Sequence, residues 1–445
     1  MFTFPVAHFG GELSFTIDQS IRFNDDDSAH LSRTLGTATN RKIWTYSLWM
    51  KRATLGTRQM FFTVAAGGGA QGILEFDQGD GGTGGMDKLI VNNETSGTTT
   101  LNWELEIAFR DPAAWYHFVF VYDTTQSTTN DRFKCFVNGA LQTSWDRNST
   151  PDQNEEQAFN NALDHRIGEG HTAANYFDGY MAEVHFIDGT AKAASDFGEY
   201  NSDTGQWVPI EYTGSYGNNG FYLKGQDSSA LGDDSSGNTN DFTSSGLAAA
   251  DQMSDSPTNN YSTLNPLSNG TGAAPSDGNL KFSTTSSATG TMVSTIPVSS
   301  GKWYCEATVT TGSANGALGV RSITQSSVTT NTLGNQTLDY AYRGNGEKFN
   351  SNTKASYGSA YTTNAVVGIA LDLDSGTIKF LNDNSDQGNA YTGISGTFVF
   401  AVGDDNTGSA FAGTFNFGAS DFEYTPPTGY KALNTANLST PTISD

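Results

Sequence analysis

The stretch "NWELEIAF", residues 102–109, places Glu104 and Glu106 two apart beside Trp103. On a β-strand residues i and i+2 share a face, so both carboxylates would stand on one surface. Two carboxylates about 5–5.5 Å apart can cleave a glycosidic bond with retention, one as nucleophile and one as acid/base. The further carboxylates of a Glu-x-Asp-x-x-Glu run are absent, and position 108 is alanine. The pair reads as two solvated glutamates on an exposed strand, and the chain as a non-enzyme. No G-x-S-x-G elbow and no H-E-x-x-H pair occurs. Among the histidines, His117 lies in an apolar strand and reads as a packed, hydrogen-bonded residue. His165 and His171 flank "RIGEG" and read as surface residues.

The elements that must position such residues are strands. The 445 residues contain 36% hydrophobic, 16% charged and 12% aromatic residues, with 50 glycines. That is too aromatic for a disordered chain and too poor in helix formers for a helical one. The fold class is all-β, with two antiparallel sandwiches joined by an extended segment. The length exceeds one hydrophobic core. Forty-seven acidic against 23 basic residues give a net charge of -24, which repels phosphate backbones and excludes nucleic acid as a partner. No run of about 18 apolar residues marks a membrane span, and the first residues lack a signal-peptide pattern. Cys135 and Cys305 fall in separate domains, so no disulfide is expected.

The strand "WYHFVFVYD", residues 115–123, is apolar on both faces: Trp115, His117, Val119 and Val121 on one, Tyr116, Phe118, Phe120 and Tyr122 on the other. Three readings of that second face stand open. It is covered by a sheet and by a long loop or arm, it docks on a neighbouring copy or another protein, or it stacks sugars. The return strand carries Asn138-Gly139, the sequence of a type I′ hairpin. Residues 226–275 are rich in Ser, Gly, Asn and Asp and read as a linker or extended arm. The boundaries are then a short arm at 1–17, a sandwich at 18–225, the linker, a second sandwich at 276–435 and a tail at 436–445. Acidic turns could contribute oxygen ligands to a structural calcium, above all Asp25, Asp26 and Asp27 in "NDDDS".

"SIRFNDDDSAHLSR", "YSLWMKR", "WYHFVFVYD", "CFVNGALQ" and "FDGYMAEVHFIDG" together resemble a laminin G-like jelly roll of the concanavalin A type. "GKWYCEATV", "VVGIALDLDSGTIKFLNDN" and "FNFGASDFEYTPPTGYKALN" resemble a SPRY domain. The joining segment is similar to connectors in virion structural proteins of tailed bacteriophages. That resemblance implies a virion component assembled in the host cytoplasm: a tail fibre, an appendage or a head-attached decoration. It implies other virion proteins and further copies of the chain as partners, and adhesion to a host-surface glycan. The alternatives are a structural subunit without ligand and a polysaccharide depolymerase. Only about 17 residues precede the first sandwich, little room for the anchor of many fibres. By the SPRY resemblance, ligand contacts are expected near Tyr342, Arg343, Asp404 and Asp405, and in the first domain at Trp103 and at Tyr176 of the "HTAANYF" loop.

Overall fold

The computed structural model describes residues 13–65, 70–79, 86–95, 97–325, 332–405 and 409–438. The chain forms two compact units, which divide between Asn259 and Asn260. Both are built of strands paired antiparallel, save that Lys431–Ala432 runs parallel to Lys302–Thr311, with short 3-10 turns as the helical elements among the described residues. No helix of those residues is long and apolar enough to cross a membrane.

In the first unit the strands are β1 (Ser20–Phe23), β2 (His30–Thr34), β3 (Ile43–Arg52), β4 (Gln59–Ala65), β5 (Gln71–Phe76) and β6 (Lys88–Thr95). There follow β7 (Thr98–Ala108), β8 (Trp115–Asp123), β9 (Phe133–Val137), β10 (Ala140–Leu141), β11 (Trp145–Ser149) and β12 (Asp164–Ile167). The set closes with β13 (Gly179–Asp188), β14 (Gly198–Tyr200), β15 (Trp207–Pro209), β16 (Phe221–Leu223), β17 (Thr243–Ser245) and β18 (Gln252–Met253). One sheet runs β10-β9-β8-β3-β13-β1-β18, with β16 beside β13; the other runs β11-β7-β6-β5-β4-β12-β2-β17. Their inner faces share one core, in which Tyr46 stacks on Phe62 at 4.3 Å and Phe61 meets Phe120 at 6.3 Å.

Strand β8 shows why both faces can be apolar. Phe118, Phe120 and Tyr122 are wholly buried against the opposite sheet, with Tyr116 half-buried beside Phe109. On the other face Val119 and Val121 pack under Phe197, Tyr212, Tyr216 and Tyr222. The four aromatic residues are therefore core rather than docking surface. Over Val119 and Val121 the cover is a cap that includes residues 194–216, joined by Tyr222 of β16; at the start of the strand Trp115 donates its indole N–H to Asp255 of the 226–275 segment at 3.2 Å.

That segment is divided between the units rather than suspended between them. Leu231 and Phe242 enter the first core, β17 pairs with β2 and β18 with β1. Asp255 forms a buried ion pair with Lys51 at 2.8 Å, and Ser20 Oγ donates to its carbonyl at 2.6 Å. From Asn260 the chain belongs to the second unit, where Thr271–Ser276 pairs with Lys281–Val293. Ser, Asn and Asp here bond to strand edges and turns instead of keeping the chain solvated.

Among the described residues the second unit joins thirteen strands by hydrogen bonds, Thr271–Ser276 through Lys431–Ala432. At its centre Lys302–Thr311 pairs with Val366–Asp372 on one side and Ala412–Asn416 on the other. The hairpin expected at 366–382 is present. Cys135 and Cys305 are buried free thiols.

The Asn138-Gly139 turn has φ of 47° and 78°, as a type I′ hairpin requires. A Cβ on Gly139 would lie 2.4 Å from the Trp207 ring, whereas Gly97, at φ 76°, has nothing within 4 Å. Gly97→Ala is therefore expected to cost about 1–2 kcal/mol from the backbone alone. Gly139→Ala adds about 1–3 kcal/mol of overpacking. Urea titration of the two variants checks the difference.

Candidate functional site

Alternation along β7 separates the residues of "NWELEIAF". Trp103 and Leu105 turn into the core, while Asn102 and Glu104 stand on the outer face of the sheet. The cross-strand register arranges that outer face in rows. Glu75 of β5 opposes Ile90 of β6, which opposes Glu104 of β7 and then Arg147 of β11. The next row is Ile73, Asn92, Asn102 and Ser149; Gln71 and Glu94 pair beyond it. Apart from Ser149 and the buried Glu104, these residues line, together with Arg58 and Asp77, an open groove of about 310 Å³.

Glu104 is not a solvated glutamate. It is fully buried, and Arg147 reaches it through Nε at 2.7 Å and Nη2 at 2.6 Å. Glu75 is held in bidentate fashion by Arg58, Nε to Oε2 at 2.7 Å and Nη2 to Oε1 at 3.0 Å. Burial raises the Glu75 carboxyl above its ordinary range, with Arg58 opposing the shift. Two strand spacings put Glu75 and Glu104 about 9–10 Å apart, at the upper limit of the separation for inverting glycosidases, about 6.5–9.5 Å. Each carboxylate is committed to a guanidinium, and Glu106 is exposed. In the row beside the two ion pairs, Asn92 and Asn102 oppose each other with both Oδ1 atoms buried and without a partner among the described residues. Their amides can turn toward a ligand without breaking a hydrogen bond through those oxygens.

Arg147 reaches the outer face because β11 is bulged. Trp145 opposes Leu105 and Arg147 opposes Glu104, leaving Asp146 as the extra residue, ion-paired with Lys88. Trp103 and Trp145 meet edge to face at 4.0 Å on the inner side, in a cleft at the edge of the sandwich.

The remaining expected site residues are dispersed. Tyr176 is half-buried; its hydroxyl donates to Glu169 at 3.0 Å and its ring lies near His30. Tyr342 is wholly buried and donates to the Ser359 carbonyl. Arg343 is 2% exposed and bound to Glu347 at 3.0 Å and Asp405 at 2.7 Å. Asp404 is buried, accepts from Thr284 at 3.1 Å and is pushed up to about 6 by desolvation. Tyr342 and Arg343 lie on a strand, Asp339–Arg343, covered on both faces, so they hold the second unit together rather than present a loop to a ligand.

Around Asp25, Asp26 and Asp27 the polar groups satisfy one another. Asn24 Nδ2 donates to Asp27 at 2.7 Å and Asn24 Oδ1 accepts from the Asp26 amide at 3.2 Å. Among the described residues no three His, Cys, Asp or Glu side chains converge to hold a metal ion.

The outer face of β8 carries a Ser–His contact, His117 Nε2 to Ser47 Oγ at 2.9 Å. Trp207 Nε1 donates to His117 Nδ1 at 2.9 Å, so the ring proton of the neutral imidazole sits on Nε2 and is donated to Ser47. The histidine cannot take the serine proton, and the contact is structural. Burial, with His185 nearby, pushes His117 down to about 3. His165 is also fully buried, contrary to its surface expectation; its Nδ1 donates to the Leu163 carbonyl at 2.9 Å, and burial lowers it to about 4.

Residues 23–195 match the family model described as the concanavalin A-like lectin/glucanases superfamily, and residues 302–418 match the SPRY domain. The chain thus carries a laminin G-like, concanavalin A-like domain followed by a SPRY domain. It is similar to the ATP-dependent RNA helicase DDX1 of Xenopus laevis, 26% identical over 113 residues, or 23% of this chain and 14% of that protein. The matched region thus spans well under two thirds of that relative. Among solved structures it is similar to the SPRY domain of human HERC1, at 14% identity and TM-score 0.26, covering 31% of this chain and 86% of that one. It is also similar to a putative carbohydrate binding protein from Bacteroides ovatus ATCC 8483, at 17% identity and TM-score 0.35, covering 52% and 58%.

Both buried histidines have folded pKa values below the ordinary 6.5, so their contribution to stability is complete above that pH. It is lost as acid protonates the unfolded chain first, down to about 4 for His165 and about 3 for His117. Within that window each histidine removes about 1.4 kcal/mol of unfolding free energy per pH unit. Denaturant titrations at about pH 7 and about pH 5 are expected to show a shallower loss in His117→Gln than in the parent, by that amount per unit.

Proposed function

We propose that this chain, a concanavalin A-like sandwich followed by a SPRY domain, is a non-enzymatic glycan-binding protein whose groove across β5, β6, β7 and β11 receives the ligand. The observation that carries the reading is the Asn92–Asn102 pair, two amides whose oxygens have no partner among the described residues, beside two Arg–Glu pairs. Planar amides and fixed guanidinium–carboxylate pairs present directional donors and acceptors at defined positions, which is what a polyhydroxylated ring needs. In its lining Glu75, Asp77 and Glu94 outnumber Arg58 and Arg147, so a neutral glycan is favoured over an acidic one. Catalysis by Glu75 and Glu104 would require one carboxyl to give up a proton and the other to orient water. Their engagement by arginine supports binding instead.

The biological setting we infer from the resemblance of the connector is a bacteriophage virion, as a tail fibre, appendage or head decoration that helps the particle adhere to its host. Many copies per particle convert weak single-site binding into useful avidity.

On a glycan array, neutral glycans are expected to outrank uronate- or sulfate-bearing ones. Asn92→Ala/Asn102→Ala should weaken the best ligand at least about tenfold, about 1.4 kcal/mol. Undiminished binding by that double variant would remove the groove from the account. Incubation with the ligand polysaccharide should release no reducing ends; release abolished in Glu75→Gln or Glu104→Gln would establish a depolymerase. Immunogold labelling of phage particles tests the setting, with label on fibres or head expected and an unlabelled particle counting against it.

A further inference from the structure

The sandwich opens where both sheets end. β9–β10 is the edge of one sheet and β7–β11 the edge of the other, and between them lies a second cavity of about 310 Å³. Its wall is aromatic: Trp145, half-buried, packs on Trp103, and Phe133 closes the floor beneath Trp103 at 4.9 Å. Leu141, at its lip, is 46% exposed, although large apolar side chains are exposed at few positions among the described residues. Gln142 and Asn148 bring amide donors and acceptors to the same opening. Asp131 and Lys134 pair with each other at 2.9 Å, so the rim offers no net charge. The indole N–H of Trp103, a residue 6% exposed, has no acceptor among the described residues.

We propose that this edge cleft is a second sugar-binding site, separate from the groove and specific for a neutral hexopyranose. The C–H face of a pyranose is apolar and packs on an indole ring, as other flat apolar groups do, while its rim hydroxyls need amide partners. Trp145 supplies the first and Asn148 and Gln142 the second. A sugar oxygen seated against Trp103 brings the acceptor its N–H lacks. The cancelled charge at the rim excludes selection for a uronate or a phosphate. The size, at the lower end of about 300–1,000 Å³ for small-ligand sites, admits a short saccharide end rather than a long chain. The site stands on its own residues and does not rest on the groove.

Ligand-observed saturation-transfer NMR on the full chain tests it, with methyl glycosides of glucose, galactose, mannose and N-acetylglucosamine, and methyl glucuronide as the charged control. At least one neutral glycoside is expected to take up saturation, strongest at its ring C–H protons. Trp145→Ala should weaken it at least tenfold and Asn148→Ala several-fold. Trp145→Phe, which keeps a ring, should retain most of the binding and so separates lost stacking from lost fold. These comparisons are read in the Asn92→Ala/Asn102→Ala background, which removes any share of the signal that the groove supplies, so the outcome does not depend on whether the groove binds. No transfer from any neutral glycoside would overturn the proposal. So would a preference for the glucuronide, binding in that background that survives both Trp145→Ala and Asn148→Ala, or a signal that the background itself abolishes.

Discussion

A strand with bulky apolar residues on both faces has to be covered twice, and β8 is such a strand. Phe118, Phe120 and Tyr122 require a second sheet, and Val119 and Val121 require a further layer outside the first. The cap that includes residues 194–216, joined by Tyr222, is that layer. It is tied down through polar contacts at its buried edge, Trp207 to His117 and His117 to Ser47, which fix one tautomer of the histidine. Because the capped sheet spends its outer face on the cap, the outer face left open for a groove is that of the other sheet. The position of the candidate sites thus follows from how the middle of the molecule is closed.

The uncovered sheet then uses period-two geometry to make two surfaces from one strand. On β7, Asn102 and Glu104 face the groove, and Trp103 between them faces the edge cleft. Buried carboxylates beneath the groove are tolerable because each has a guanidinium partner; an unpaired one would be protonated or would pull the strand open. The arginines in turn are held in place, which gives the groove fixed walls. Rigidity of this kind limits the entropy lost when a ligand is bound.

Much of the architecture could be read from local pattern. Alternation identified the strands, Asn138-Gly139 identified its turn, and the motifs of both sandwiches carried their resemblance in order. The partners of Glu104 could not be read that way. Arg147 lies 43 residues away and reaches Glu104 only across a bulge that no propensity announces. Asn92 and Asn102 look like ordinary strand amides until the register opposes them. Residues 226–259 have the composition of a linker, and only Leu231, Phe242 and Met253 reveal that they are fastened to a core. In the second unit Tyr342 and Arg343 belong to a polar-looking run ending in Gly-Asn-Gly, which hides that both side chains point into packed interior. Trp103 was legible as a ligand candidate from its type, but the partner that completes its cleft, Trp145, depends on tertiary placement.

The extra residue in β11 acts as a frame-setter for the strand that walls both cavities. With Asp146 in place, Trp145 is read inward, Arg147 outward and Asn148 inward. Removing Asp146 alone would leave that frame intact, because Trp145 would still oppose Leu105 and Arg147 would still oppose Glu104. Pairing Asp146 regularly, with no residue left over, would instead invert the frame on one side of it: Arg147 would be carried toward the aromatic cleft and Asp146 set against Glu104, so a carboxylate would lose its cation while a guanidinium entered an apolar edge. Two recognition surfaces on opposite faces of a sheet are therefore hereditarily linked. Substitutions that keep the bulge can tune either one alone, but loss of the bulge with its residue retained rewrites both at once.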